Sequence, residues 1–189
     1  MTHWECRLAA TLTDADRSLI PAAKQARAFC RQRRYGHALK VLWTLLQHTR
    51  RAGSARQEAF VLIHIGHVYR HTCAEIAQKF FQDGLHVAQG CGFRPGEMLA
   101  HDALGELHYK GGHQERALAH YQQSLATARA LRDRTGERDI LLEMVNCYEE
   151  RGELDRCDEL LELALQLDER SDEPTRLPTC ALPVDGAGA

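Results

Sequence analysis

Small side chains return at a fixed interval along this chain: Ala38, Ala77, Ala117 and Cys157 lie 39, 40 and 40 residues apart. Four residues after each stands a large apolar residue (Leu42, Phe81, Tyr121, Leu161), and four further on another (Leu46, Leu85, Leu125, Leu165). Positions i, i+4 and i+8 fall along one face of an α-helix, so each of the four stretches reads as an amphipathic helix with a small residue near its start. The sequence ahead of these helices repeats as well. Gln57-Glu58-Ala59, Gly96-Glu97-Met98 and Gly136-Glu137-Arg138 superpose, and each opens a second helix-length run. The two runs of a unit are separated by breaks near Thr72-Cys73, Gly111-Gly112 and Arg151-Gly152.

Each unit is therefore expected to be a helix, a turn and a helix. Two antiparallel helices joined by a short turn approach closely only where small side chains face the contact. The four small residues meet that need in the second helix, and Gly66 and Gly105 supply a gap in the first, against a cost of about 1 kcal/mol for glycine over alanine in a helix. A glutamate in the first turn suits the positive end of the helix dipole. With Ala, Leu, Glu, Arg and Gln abundant and only five prolines in 189 residues, nothing in the composition opposes an all-helical chain. The fold expected is all-α, a helical-hairpin repeat solenoid of about four helix-turn-helix units.

The run Leu104-Gly105-Glu106-Leu107-His108, followed by Gly112, Ala117-Leu118, Tyr121 and Ser124-Leu125, resembles the tetratricopeptide repeat (TPR) motif in its order of small and large positions. The resemblance covers roughly residues 14–169. It departs from the family in three ways: a period near 40 in place of the common 34, one residue fewer after Cys73, and a first unit that keeps only Phe29, Tyr35 and Ala38-Leu39. Longer repeats of this kind resemble those of peptide-binding regulators and cargo adaptors.

A TPR-like domain is thus expected over residues 14–169, its first helix starting near Thr13 or Ser18 with Pro21 in its first turns. Residues 1–13 are expected to form an N-terminal cap or flexible segment. Residues 170–189, with Pro174, Pro178, Pro183 and a Gly-Ala-Gly-Ala end, are expected to be a disordered tail. The last helix carries Leu160, Leu163 and Leu167 besides its repeat positions. A solenoid end normally presents a polar face, so this second stripe is expected to pack on its own unit, the tail, a second subunit or a partner.

Charge is distributed as a gradient. Residues 1–60 hold eleven Lys and Arg against four Asp and Glu, whereas residues 135–173 hold four against fourteen. If the resemblance holds, the first helix of each unit lines a concave groove. That implies Lys24, Arg27 and Arg31 from unit one, and His64, His67, Arg70 and His71 from unit two. Unit three would add Asp102, Glu106, Tyr109 and Lys110, and unit four Asp139, Glu143, Asn146, Glu149 and Glu150. Such a groove runs from basic to acidic, and a protein or peptide partner with an acidic part is expected in it, since the arginine fork pairs with carboxylates through two parallel hydrogen bonds. The family's pocket for chaperone C-termini resembles a set of Lys and Asn at defined groove positions. Here those positions hold Ala23, Arg27, His64, Leu99 and Ala103, or Ile63, His67, Ala103, Asp139 and Glu143, so that ligand is not expected.

Other functions are less well supported. There is no GxSxG, P-loop, dinucleotide-binding or HExxH motif, and the expectation is a non-catalytic module without cofactor. His64, His67 and His71 with Cys73 have a spacing that could gather imidazoles at a metal, yet His64 and His71 are more than ten ångströms apart at ~1.5 Å rise per residue, and no metal site is expected. A net charge of −2 disfavours nucleic acid. The lack of a long apolar run disfavours a membrane span, and seven scattered cysteines without a CxxC pair suit the reducing cytoplasm. The functional expectation is a cytoplasmic adaptor or scaffold. The alternatives are a regulator that senses a peptide or small ligand, and a scaffold that self-assembles through the last helix or head to tail.

Overall fold

The computed structural model describes residues 19–169. The expected cap over residues 1–13, the helix start near Thr13 or Ser18, and the tail 170–189 lie outside the described residues. Eight helices follow one another in the described span: α1 (Ile20–Arg31), α2 (Tyr35–Arg51), α3 (Ala55–Tyr69), α4 (Ala74–Gly90), α5 (Arg94–Lys110), α6 (Gln114–Ala130), α7 (Arg134–Arg151) and α8 (Leu154–Glu169). They pack as consecutive antiparallel pairs, and no strand occurs among the described residues. Each helix touches its neighbours in sequence. Across units, α1 touches α3, α3 touches α5 and α5 touches α7, so the first helices form one wall of the array.

The small residues sit where the repeat requires. Ala38, Ala77 and Ala117 are completely buried and Cys157 nearly so. The glycines have a more specific task than a matching gap, because each receives a ring. A Cβ on Gly66 would lie 2.6 Å from the Phe81 ring, and one on Gly105 would lie 2.6 Å from the Tyr121 ring. Both rings are fully buried, which ties the first helix of the hairpin to the second through direct contact of an aromatic face with backbone.

Turns are three residues or so, and they obey a cadence of their own. Gly53, Gly92, Gly112 and Gly152 adopt positive φ between 65° and 73° just after a helix, the left-handed position at which glycine ends helices without strain. Arg33 and Arg132 occupy the same place with φ of 57° and 55°. The turn between α3 and α4 is the exception. It spans Arg70 to Cys73, one residue longer than its counterparts, while α3 is two residues shorter than α5. The missing residue of the second unit therefore lies between Gly66 and Cys73, in the last turn of α3, and not after Cys73 as the spacing suggested.

Adjacent units are also joined by a repeated ion pair. Arg50 near the end of α2 holds Glu58 in the first turn of α3 at 2.7 Å, and Arg129 near the end of α6 holds Glu137 in the first turn of α7 at 2.6 Å. In both cases the sixteenth residue of the second helix meets the fourth of the next helix. The register is broken between α4 and α5, where Gln89 replaces the arginine and Arg94 serves Glu97 instead, at 3.0 Å. These pairs are half exposed, and each contributes at most about 1 kcal/mol.

The glycine contacts give a prediction with opposite signs at two sites. Gly105→Ala is expected to destabilise the fold by about 1–3 kcal/mol through overpacking against Tyr121, a cost that outweighs the gain in helix propensity. Gly36→Ala in α2, where an added Cβ meets nothing within 4 Å, is expected to stabilise by about 0.5–1 kcal/mol. Urea denaturation midpoints of the two variants check both signs.

Candidate functional site

The wall formed by α1, α3, α5 and α7 encloses a cleft of about 300 Å³. Its lining brings together Arg27 from α1, His64 and His67 from α3, Arg70 and His71 from the turn that follows, Asp102 and Glu106 from α5, and Glu143 from α7. All eight were expected in the groove from sequence. Between them lie Ala23, Ala26, Cys30, Leu42, Val68 and Leu99, which give the cleft an apolar floor that the charge pattern did not announce. Their signal was present in the same periodicity, since they occupy the small and apolar positions flanking each charged one.

Other expected groove residues stand outside this cleft. Lys24, Arg31, Asn146 and Glu149 are exposed, and Asp139 is bound by Arg138 at 3.0 Å. Tyr109 donates its hydroxyl hydrogen bond to Glu150, which also accepts from Gln114 Nε2 at 2.7 Å. Facing that carboxylate pushes the Tyr109 phenol up to about 12. Lys110 reaches back one turn to Glu106, its Nζ 2.6 Å from Oε1.

Glu106 is the hinge of the charge arrangement. It accepts from Lys110 on its own helix and from Arg70, which crosses from the turn inside unit two. Glu143 lies opposite, partly buried, and its carboxyl is held above the ordinary range by burial and then by repulsion from Glu106, against the hydrogen bond from Asn146. Tyr121 lies in the core near these carboxylates. Its hydroxyl is buried with no hydrogen-bond partner among the described residues, and burial and then Glu143 and Asp102 raise its pKa.

The opposite end of the cleft is built on histidine. His64 is buried, and its Nδ1 lies 2.8 Å from the Phe60 carbonyl; a carbonyl only accepts, so the proton sits on Nδ1. Burial holds the ring neutral, pulling its pKa down to about 4, with the charge of Arg27 acting in the same direction. His67 is held well below its ordinary value by burial and then by Arg70, its ring edge-on to Phe81 at 5.1 Å between centroids. His71 is positioned by a contact that sequence reasoning missed: its ring stacks on Tyr35 from α2 at 5.5 Å. No three His, Cys, Asp or Glu residues that could hold a metal ion come together among the described residues.

A second group of imidazoles lies away from the cleft, between α5 and α6. His101 Nδ1 and His120 Nδ1 are 3.1 Å apart, and His108 stacks on His120 at 5.4 Å. One Nδ1 of the first pair must donate and the other accept, so the two Nδ1 atoms cannot both carry a proton without losing the bond. Burial and mutual repulsion lower His120 to about 4, and burial lowers His101 and His108 as well.

No protein-family model matches the chain, and no curated protein matches it in sequence. Among solved structures it is similar to the crystal structure of BtubC (BKLC) from P. vanneervenii, with a TM-score of 0.70 at 15% identity over 88% of this chain and 70% of that one. At this identity the likeness shows a helical repeat arrangement and the fold alone. No helix among the described residues is long and apolar enough to cross a membrane.

The histidines set a pH dependence whose sign is fixed. His64, His67, His101, His108 and His120 all have folded pKa values below the ordinary 6.5, so the unfolded chain binds more protons as pH falls through that value. Stability is then full above pH 6.5 and declines on acidification toward about 4. Melting temperature measured at steps between these limits is expected to fall, and His120→Gln is expected to flatten part of the slope.

Proposed function

We propose that this chain is a non-catalytic protein-interaction module of the tetratricopeptide type, a cytoplasmic adaptor or scaffold that holds a partner peptide or helix in the cleft. The observation that carries this reading is the meeting, in one open cleft with an apolar floor, of cationic and imidazole groups from units one and two with carboxylates from units three and four. An acidic part of the partner lies over Arg27, Arg70 and His71, and a basic part over Asp102 and Glu143. The small residues Ala23 and Ala26 leave room for an apolar side chain between them.

This arrangement suits recognition better than chemistry. Glu106 is already held between Arg70 and Lys110, which commits this carboxylate to an ion-pair network instead of leaving it to act as a base. The Cys30 thiol in the cleft is pushed up by burial, away from the reactive thiolate. A carboxylate arriving at Arg70 competes with Glu106, which favours partners carrying several acids over one.

The test is affinity capture from the native host, comparing the full chain with an Arg27→Ala/Arg70→Ala variant. Hydrogen bonds between charged groups contribute about 1.5–3 kcal/mol each, so the variant is expected to lose its partner by roughly tenfold or more. Its melting temperature serves as the check on folding. Equal recovery of the same partner by a folded variant would refute the cleft as the binding site.

A further inference from the structure

Among the described residues no helix lies across the outer face of α8, and the repeat itself measures the difference. In the first three units the second helix is covered by the first helix of the next unit, and the large residue four positions after the small one is fully buried: Leu42 at 1%, Phe81 at 0% and Tyr121 at 0% exposure. The fourth-unit equivalent, Leu161, is 37% exposed. One turn later Leu46 and Leu125 are 1% and 8% exposed and Leu85 is partly buried, against 62% for Leu165. Leu154, also 65% exposed, lies on the same stripe two turns before Leu161. The stripe named from sequence is divided: Leu160 and Leu167 pack on the core that units three and four share, whereas Leu163 is 42% exposed. The uncovered surface is thus the repeat face of α8, shaped as in the units where a helix lies across it.

Charge says what kind of helix. The sequence of α8 holds six acids against the single Arg156. Glu159 is paired with Arg156 at 2.8 Å and Asp168 with Arg138 of α7 at 2.5 Å, which leaves Asp155, Asp158 and Glu162 as the acids beside the leucines. Where α2 and α6 present Arg50 and Arg129 to a glutamate of the next helix, the equivalent sequence position in α8 is Glu169, so the polarity of the joining ion pair is reversed. A second copy of this chain placed α8 against α8 would set six acids against six. Residues 170–189 bring two arginines against three acids and no positive excess.

We propose that the outer face of α8 is a second docking surface, which receives a basic amphipathic helix of a partner protein in the place a further repeat helix would take, with leucine-like side chains on Leu154, Leu161 and Leu165 and Lys or Arg over the flanking acids. This surface is separate from the cleft and does not depend on the function proposed for it. The partner helix adds itself to the array as its next layer, burying the stripe and neutralising the excess charge of α8.

Two labelled helical peptides of 17 residues, the length of the interior helix α6, test this on the full chain. They share one leucine stripe and differ in carrying Lys or Glu at all other positions. Fluorescence anisotropy is expected to show the Lys peptide binding at least about tenfold more tightly than the Glu peptide, with the preference shrinking as salt rises. Leu161→Ser/Leu165→Ser, at two exposed positions and without change of charge, is expected to weaken the Lys peptide by about tenfold, while Arg27→Ala/Arg70→Ala leaves it unchanged. Unimpaired binding by the serine variant means attraction by charge alone and overturns the proposal, as does equal binding of the two peptides, absence of binding, or loss of binding in the cleft variant. Light scattering that finds a dimer broken by the serine substitutions assigns the face to a second copy and overturns it too.

Discussion

Everything in this molecule is built around the contact of an aromatic ring with bare backbone inside a hairpin. Phe81 on Gly66 and Tyr121 on Gly105 bring paired helices closer than any two side-chain-bearing positions would allow. That closeness fixes the rotation of each first helix about its own axis, because the glycine must face the ring. Once it does, the direction of every other side chain on that helix is set, and the cleft inherits its lining from the packing of the core. Glu106 follows Gly105 directly and Asp102 precedes it by three, so the position of two cleft carboxylates is set by where a missing side chain must point.

The architecture was largely legible in the sequence, since one small residue every forty positions and a large one four later describe a buried seam that only paired helices satisfy. The location of the shortened segment was not. Counting placed the missing residue after Cys73, whereas α3 ends two residues short of the length of α5 and Cys73 stays directly before α4. For the cleft, periodicity told which face of each helix looks inward but not how deep a side chain lies. Arg27 and Arg31 share that face, yet only Arg27 reaches the cleft, because Arg31 ends α1 and extends past the adjoining helix into solvent. Tyr109 and Lys110 were likewise read as facing a ligand and instead serve neighbouring carboxylates. Of the apolar floor only Ala23 and Leu99 were read at groove positions, for a different reason: alanines and leucines on an inward face look the same whether they meet a neighbour or line a space.

Two scales of electrostatics coexist here. Along the chain, the basic start and acidic finish are properties of composition, screened within about 10 Å at ordinary salt. Within the cleft, ion pairs cross from one unit to the next and are fixed by geometry. Arg70 belongs to unit two by sequence and to unit three by its partner Glu106, as Arg50 and Arg129 belong to the units that follow them. Such crossings are absent from a single-unit reading of the repeat, and they couple the relative placement of units to the state of the groove. The buried imidazoles add a cost on protonation that is carried by the core of units two and three.

The nearest-neighbour pattern of contacts has a consequence for how the molecule comes apart. Among the described residues the main helix contacts run to the helices beside each one and one layer over. The array can therefore lose its outermost layer while the rest persists, as a stack does and a closed bundle does not. The two ends are unequal in this respect: fraying at α8 releases leucines already half in water, whereas opening between units two and three would expose Phe81, Phe93 and the neutral histidines at once. Peeling from the acidic end inward is the cheap route, and the central hairpins are the last to let go.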